Sequence, residues 1–124
     1  LSEGGSRAYL TSATAPVLFE LDLNTGEWVR GPDNPIVLYE SDGDALDHAV
    51  MGPDGVLYIS AFNRQRLLLL DTRCNALIGS FDISSNDTLN AGPHAIAIAP
   101  SQSDAIRGYI VGSLSNSLIE FSLK

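Results

Sequence analysis

A chain of 124 residues with 44% hydrophobic and 18% charged side chains has the composition of one folded domain, not of a disordered segment. Seven basic against fifteen acidic residues leave a net charge of -8, which repels phosphate backbones and anionic lipid and argues against nucleic acid or a membrane surface as partner. A single cysteine excludes an internal disulfide and a cysteine-based zinc cage, and no apolar run nears the ~18 residues of a membrane span.

The chain opens on Leu1 with no signal-peptide pattern, which reads as a processed product or part of a longer chain. The first element is a strand pair, Ala8-Tyr-Leu-Thr-Ser12 with Val17-Leu-Phe-Glu-Leu-Asp22. The turn Asn24-Thr-Gly26 follows, then a third strand over Gly26-Glu-Trp-Val-Arg30. The same grammar returns 49 residues later as Leu57-Tyr-Ile-Ser-Ala61, Leu67-Leu-Leu-Leu-Asp71 and, after Arg73-Cys-Asn75, Ala76-Leu-Ile-Gly-Ser-Phe81. It returns again after 51 more as Gly108-Tyr-Ile-Val-Gly112 with Leu118-Ile-Glu-Phe-Ser122. Tyr9, Tyr58 and Tyr109 mark the register. An apolar residue follows each at a distance of twelve (Leu21, Leu70, Phe121), then a turn former (Asp22, Asp71, Ser122). A fixed period of this length is the mark of a repeat architecture.

Two of the segments are preceded by a further strand. Asp47-His-Ala-Val-Met-Gly-Pro-Asp-Gly55 aligns with Pro93-His-Ala-Ile-Ala-Ile-Ala-Pro-Ser101. Strict alternation places His94, Ile96 and Ile98 on one face and Ala95, Ala97 and Ala99 on the other. The alignment makes His48 and His94 equivalent. No window sustains a helical period, so the expected fold is all-β, in three blade-like parts over 7–31, 46–82 and 93–124.

Four-stranded units at this period characterise β-propellers. The stretches Gly52-Pro-Asp-Gly-Val-Leu-Tyr-Ile-Ser60 and Gly92-Pro-His-Ala-Ile-Ala-Ile-Ala-Pro100 resemble blades of the NHL, YVTN and lactonase-like propellers, with Ala49 and Ala95 where glycine is usual. The resemblance implies blades of four antiparallel strands. The chain would supply the last three strands of one blade, all four of the next and the first three of a third, an incomplete ring. Ring closure takes ~4 to 8 blades, so further blades of a longer polypeptide or other copies of the chain, as a homo-oligomer, are the expected partners.

The resemblance also sets two functional expectations. The first is a non-catalytic protein-binding or assembly scaffold. The second is a fragment of a metal-dependent lyase or lactonase-like hydrolase, and the residues alone do not settle whether the chain is an enzyme. In such enzymes the inner-strand histidines line a central channel as metal ligands or acid/base groups. That assigns His48 and His94 to a divalent metal, zinc or calcium, with Asp47 supporting them as a further catalytic candidate and Asp44 behind it. Two histidines fall short of three protein ligands, and a third would come from a missing blade or another chain. The acidic stretch Glu40, Asp42, Asp44, Asp47 reads as a solvated loop, since it lacks the EF-hand order.

Asp22 and Asp71 read as turn residues whose carboxylates accept backbone amides, and the three tyrosines as packing residues with a polar tip. Trp28 falls on an outermost strand, as a packing anchor or an exposed contact. Cys74 has no base beside it in sequence and is not a nucleophile candidate. Arg64 and Arg66 are too few for a phosphate surface. Asn86-Asp-Thr88 matches the N-glycosylation acceptor pattern, and a glycan there would imply a secreted, extracellular protein.

Overall fold

A computed structural model describes residues 3–41, 43–83, 92–99 and 105–123. The protein is all-β, with three antiparallel sheets following one another along the chain. Among the described residues there is no α-helix, and no sheet closes into a barrel. Sheet 1 is built from β1 (Arg7–Thr11), β2 (Val17–Asp22), β3 (Trp28–Arg30) and β4 (Ile36–Val37). Sheet 2 runs in the order β5 (Leu46–Met51), β6 (Val56–Ala61), β7 (Arg66–Asp71), β8 (Ala76–Asp82). Sheet 3 comprises β9 (Pro93–Ala99), β10 (Ile106–Gly112) and β11 (Ser117–Leu123).

Sheet 2 lies between the other two. Its β6 is buried along its whole length and four residues of β7 are buried, because both faces are covered. The two strands accordingly read as near-continuous apolar runs, not as alternating ones. On one face Leu57, Ile59, Leu68 and Leu70 pack against Leu18, Ile36 and Leu38 of sheet 1 and its exit. On the other, Val56, Tyr58, Leu67 and Leu69 meet Ile96 and Ile110 of sheet 3. Tyr58 stacks on Phe121 with centroids 6.0 Å apart and donates its hydroxyl to Asp54 at 3.1 Å. Burial, followed by the charge of Asp54, pushes the phenol far above its ordinary range. Gly108 is what admits that ring: a Cβ there would lie 2.2 Å from Phe121.

The repeat is visible in the register. Tyr9 pairs with Glu20, Tyr58 with Leu69 and Tyr109 with Glu120. The face of sheet 1 that packs on sheet 2 therefore carries Arg7, Tyr9, Thr11, Leu18, Glu20 and Asp22. At the same positions sheet 3 carries Arg107, Tyr109, Val111, Leu118, Glu120 and Ser122, all on its outer side. The outer side of sheet 1 is apolar throughout, with Ala8, Leu10, Phe19 and Leu21 continued by Val17, Val37 and Trp28. Trp28 is half exposed and meets Phe19 edge to face.

Sheet 1 continues past residue 31. Its outer strand is one line broken in two: β3 and β4 both pair with β2, separated by Gly31-Pro-Asp-Asn-Pro35. Proline cannot donate to a ladder, so a strand crossing Pro32 and Pro35 must leave the sheet and re-enter. The expected turn chemistry is present at the third-strand ends. Asp22 Oδ1 accepts the amides of Asn24 at 2.9 Å and Thr25 at 3.3 Å, and Asp71 Oδ1 accepts that of Arg73 at 2.9 Å.

The Arg73 guanidinium, together with that amide, holds the Asp71 carboxyl down to about 2, against an ordinary 3.8. The ionised form is favoured in the folded chain. Its stabilising contribution is therefore whole above the ordinary value and is lost as pH falls toward 2. Arg73→Ala is expected to move the Asp71 titration back toward 3.8, read from the side-chain carboxyl carbon by NMR.

Candidate functional site

The inner strands β5 and β9 each carry a bulge near their start. Leu46 opposes Ala61 and Ala49 opposes Ile59, so Asp47 and His48 share Ser60 as their opposite residue. Pro93 opposes Gly112 and Ile96 opposes Ile110, so His94 and Ala95 share Val111. The extra residue changes which side chains share a face. Pro93, Ile96 and Ile98 face the core side, and His94 does not join them, contrary to strict alternation. Both strands carry the bulge at the same place, so their equivalence is set by the repeat tyrosines, one residue off the His-Ala alignment. Ala61 and Gly112 each stand three residues after a repeat tyrosine, so Asp47 corresponds to His94, and His48 to Ala95.

The corrected register explains how these side chains meet. Asp47 and His94 occupy the same position on neighbouring inner strands, and His94 Nδ1 donates to Asp47 Oδ2. Both are partly open to solvent, His94 the more so. They line a cleft of about 320 Å³ with Ala13, Leu46, Phe62 and Ser113. His48 does something else. Its Nδ1 accepts the backbone amide of Ile96 at 3.2 Å, which leaves the ring proton on the other nitrogen. The ring thus gives a β9 amide a side-chain acceptor.

A residue with no prior claim to importance holds this region together. Ser60 is fully buried; its Oγ accepts the His48 amide at 2.9 Å and donates to the His94 carbonyl at 2.8 Å. Thr11 stands at the equivalent place in β1 and donates to the Asp47 carbonyl at 3.1 Å. The tyrosine-bearing strands of sheets 1 and 2 therefore each present a hydroxyl, two residues after the tyrosine, to the bulge of the next sheet's first strand. The third sheet has Val111 there. The signal was present in the sequence as Thr11 and Ser60, but nothing in one strand announces a partner on another sheet.

The remaining candidates fall apart from this pair. Asp44 bonds Arg64 at 2.7 Å, and that guanidinium, followed by Ser41, holds its carboxyl below the ordinary value. Arg64 also lies over the Tyr39 ring at 4.2 Å, while Arg66 donates to Ser80. Glu40 is exposed, and Asp42 and the glycosylation candidate Asn86 lie outside the described residues. Tyr9 is raised, by burial first and then by Glu20. Cys74 is exposed in its turn.

His48 Nδ1 and His94 Nδ1 are both engaged, by an amide and by a carboxylate. Among the described residues no three His, Cys, Asp or Glu side chains converge as a metal would require. What the Asp47–His94 pair can do is orient one imidazole, with its tautomer fixed by the carboxylate. Among the described residues no helix is long and apolar enough to cross a membrane. No protein-family model matches the chain, and a search of curated proteins finds no match either.

Proposed function

We propose that this chain is a β-propeller module of the NHL, YVTN and lactonase-like kind, acting as a non-catalytic binding or assembly scaffold that further blades or other chains complete. One observation carries the reading: both end sheets present large apolar residues to solvent on the faces that would receive a neighbour. Val37 and Trp28 on sheet 1, and Leu118 on sheet 3, are 60%, 50% and 68% exposed. Between the sheets, Leu18 and Leu67, the counterparts of Leu118, are 0% and 1% exposed, and Ile59, the counterpart of the 41% exposed Leu10, is 0% exposed. Every ~400 Å² of such face left in water forfeits about 10 kcal/mol, comparable with the stability of a whole domain. Faces of that cost favour a covered state. The hydroxyl bonds from Thr11 and Ser60 to the next inner strand support repetition of one blade-to-blade junction.

The Asp47–His94 pair in its cleft gives the enzymatic alternative its one specific support. A panel of small esters and lactones, assayed with and without zinc or calcium, separates the two. The scaffold reading expects no turnover beyond that of His94→Gln. Turnover that falls a hundredfold or more in His94→Gln, with the fold intact by circular dichroism, overturns it.

A further inference from the structure

We propose that two copies of this chain dock head to tail, the outer face of sheet 3 of one copy seating on the outer face of sheet 1 of another. The proposal rests on the module reading above and names its partner as a second copy. Its basis is that the molecule already contains one example of the junction. Sheet 1 packs on sheet 2 through Arg7, Tyr9, Thr11, Leu18 and Glu20. Glu20 is tolerated there, only 7% exposed, because Arg7 lies 3.8 Å away and Asn75 of sheet 2 donates to it at 3.5 Å. Sheet 3 offers the same set outward, with Arg107, Tyr109, Leu118 and Glu120 in the same register.

The receiving surface is matched as well. Sheet 2 accepts sheet 1 on Leu57, Ile59, Leu68 and Leu70. Sheet 1 carries Ala8, Leu10, Phe19 and Leu21 at those places, on a face that nothing among the described residues covers. Leu118 of one copy would then enter between Phe19 and Leu21 of the next, as Leu18 enters sheet 2.

Because the two surfaces differ, the contact is heterologous and extends into rings or filaments.

The test uses the intact chain in a Cys74→Ser background. One variant carries Glu120→Cys, the other Thr25→Cys in the turn that matches Arg73-Cys-Asn75, where sheet 2 meets Glu20. Mixed at about 100 µM and oxidised, they are expected to yield the mixed disulfide in excess over either symmetric one. Leu118→Glu is expected to weaken association at least tenfold in light scattering while its circular dichroism stays unchanged. Assemblies that give only symmetric disulfides and ignore Leu118→Glu overturn the head-to-tail contact. So does a folded, monodisperse monomer of 13.2 kDa at that concentration. Either result leaves the scaffold reading to the ester and lactone assay, which does not depend on self-association.

Discussion

Ser60→Ala is expected to destabilise the fold by about 2–4 kcal/mol, a large effect for the loss of one oxygen atom. The hydroxyl serves two backbone groups at once in part-buried bonds, the amide of His48 and the carbonyl of His94, and also lies 3.3 Å from the His48 carbonyl. That amide sits at the bulge of β5. Leaving a buried polar group unsatisfied costs about 1–3 kcal/mol, and alanine strands two. The methyl group adds nothing in return, since Ser60 is already fully buried. Urea unfolding gives the magnitude, and hydrogen exchange gives the location. The His48 amide should exchange much faster in the variant, while amides of β1 and β2 should change only by the global loss of stability. An unfolding free energy within 0.5 kcal/mol of the parent would mean that water reaches both groups.

Ile59→Ala is expected to cost about 2–5 kcal/mol, through a different mechanism on the opposite face of the same strand. Ile59 is 0% exposed, in the cluster where Leu18 and Ile36 of sheet 1 meet Leu68 and Leu70 of sheet 2. Truncation removes apolar atoms and leaves a void between two sheets, and neither sheet can move in without disturbing the other. The cost is therefore expected at the upper end of that range. Ile59→Val, which removes one carbon, is expected to lose about 0.5–1.5 kcal/mol. A denaturant midpoint in Ile59→Ala equal to that of Ile59→Val would show that the site collapses freely.

Much of the fold was legible because its signals are local. Tyr9 and Tyr58 with their trailing Asp22 and Asp71 fix where strands turn, and the all-apolar Leu67–Leu70 marks the strand covered on both faces. β4 was missed because it is two residues long and sits beyond Pro32 and Pro35, which read as a loop. The relation of His48 to His94 was misread for a subtler reason. A His-Ala pair in both strands invites alignment, yet the ladders, aligned on their tyrosines, set the strands one residue off it. Once that offset is applied, the histidines separate into one that caps an amide and one that meets Asp47. The hydroxyls of Thr11 and Ser60 follow no pattern of hydrophobicity within their strands. Their meaning lies in a carbonyl one sheet away, a relation that arises only when the sheets stack.

The lateral borders of the three sheets are not alike. The outer line of sheet 1 is chopped by prolines into pieces of three and two residues, a poor template for any incoming extended peptide. By contrast β8 and, among the described residues, β11 are unbroken edges of seven residues each. Should this protein ever be driven into fibrous aggregates by heat or acid, recruitment by backbone pairing would begin at the Ala76–Asp82 and Ser117–Leu123 rims. A lysine or proline introduced there would slow it, while the same change on the proline-broken border would do little.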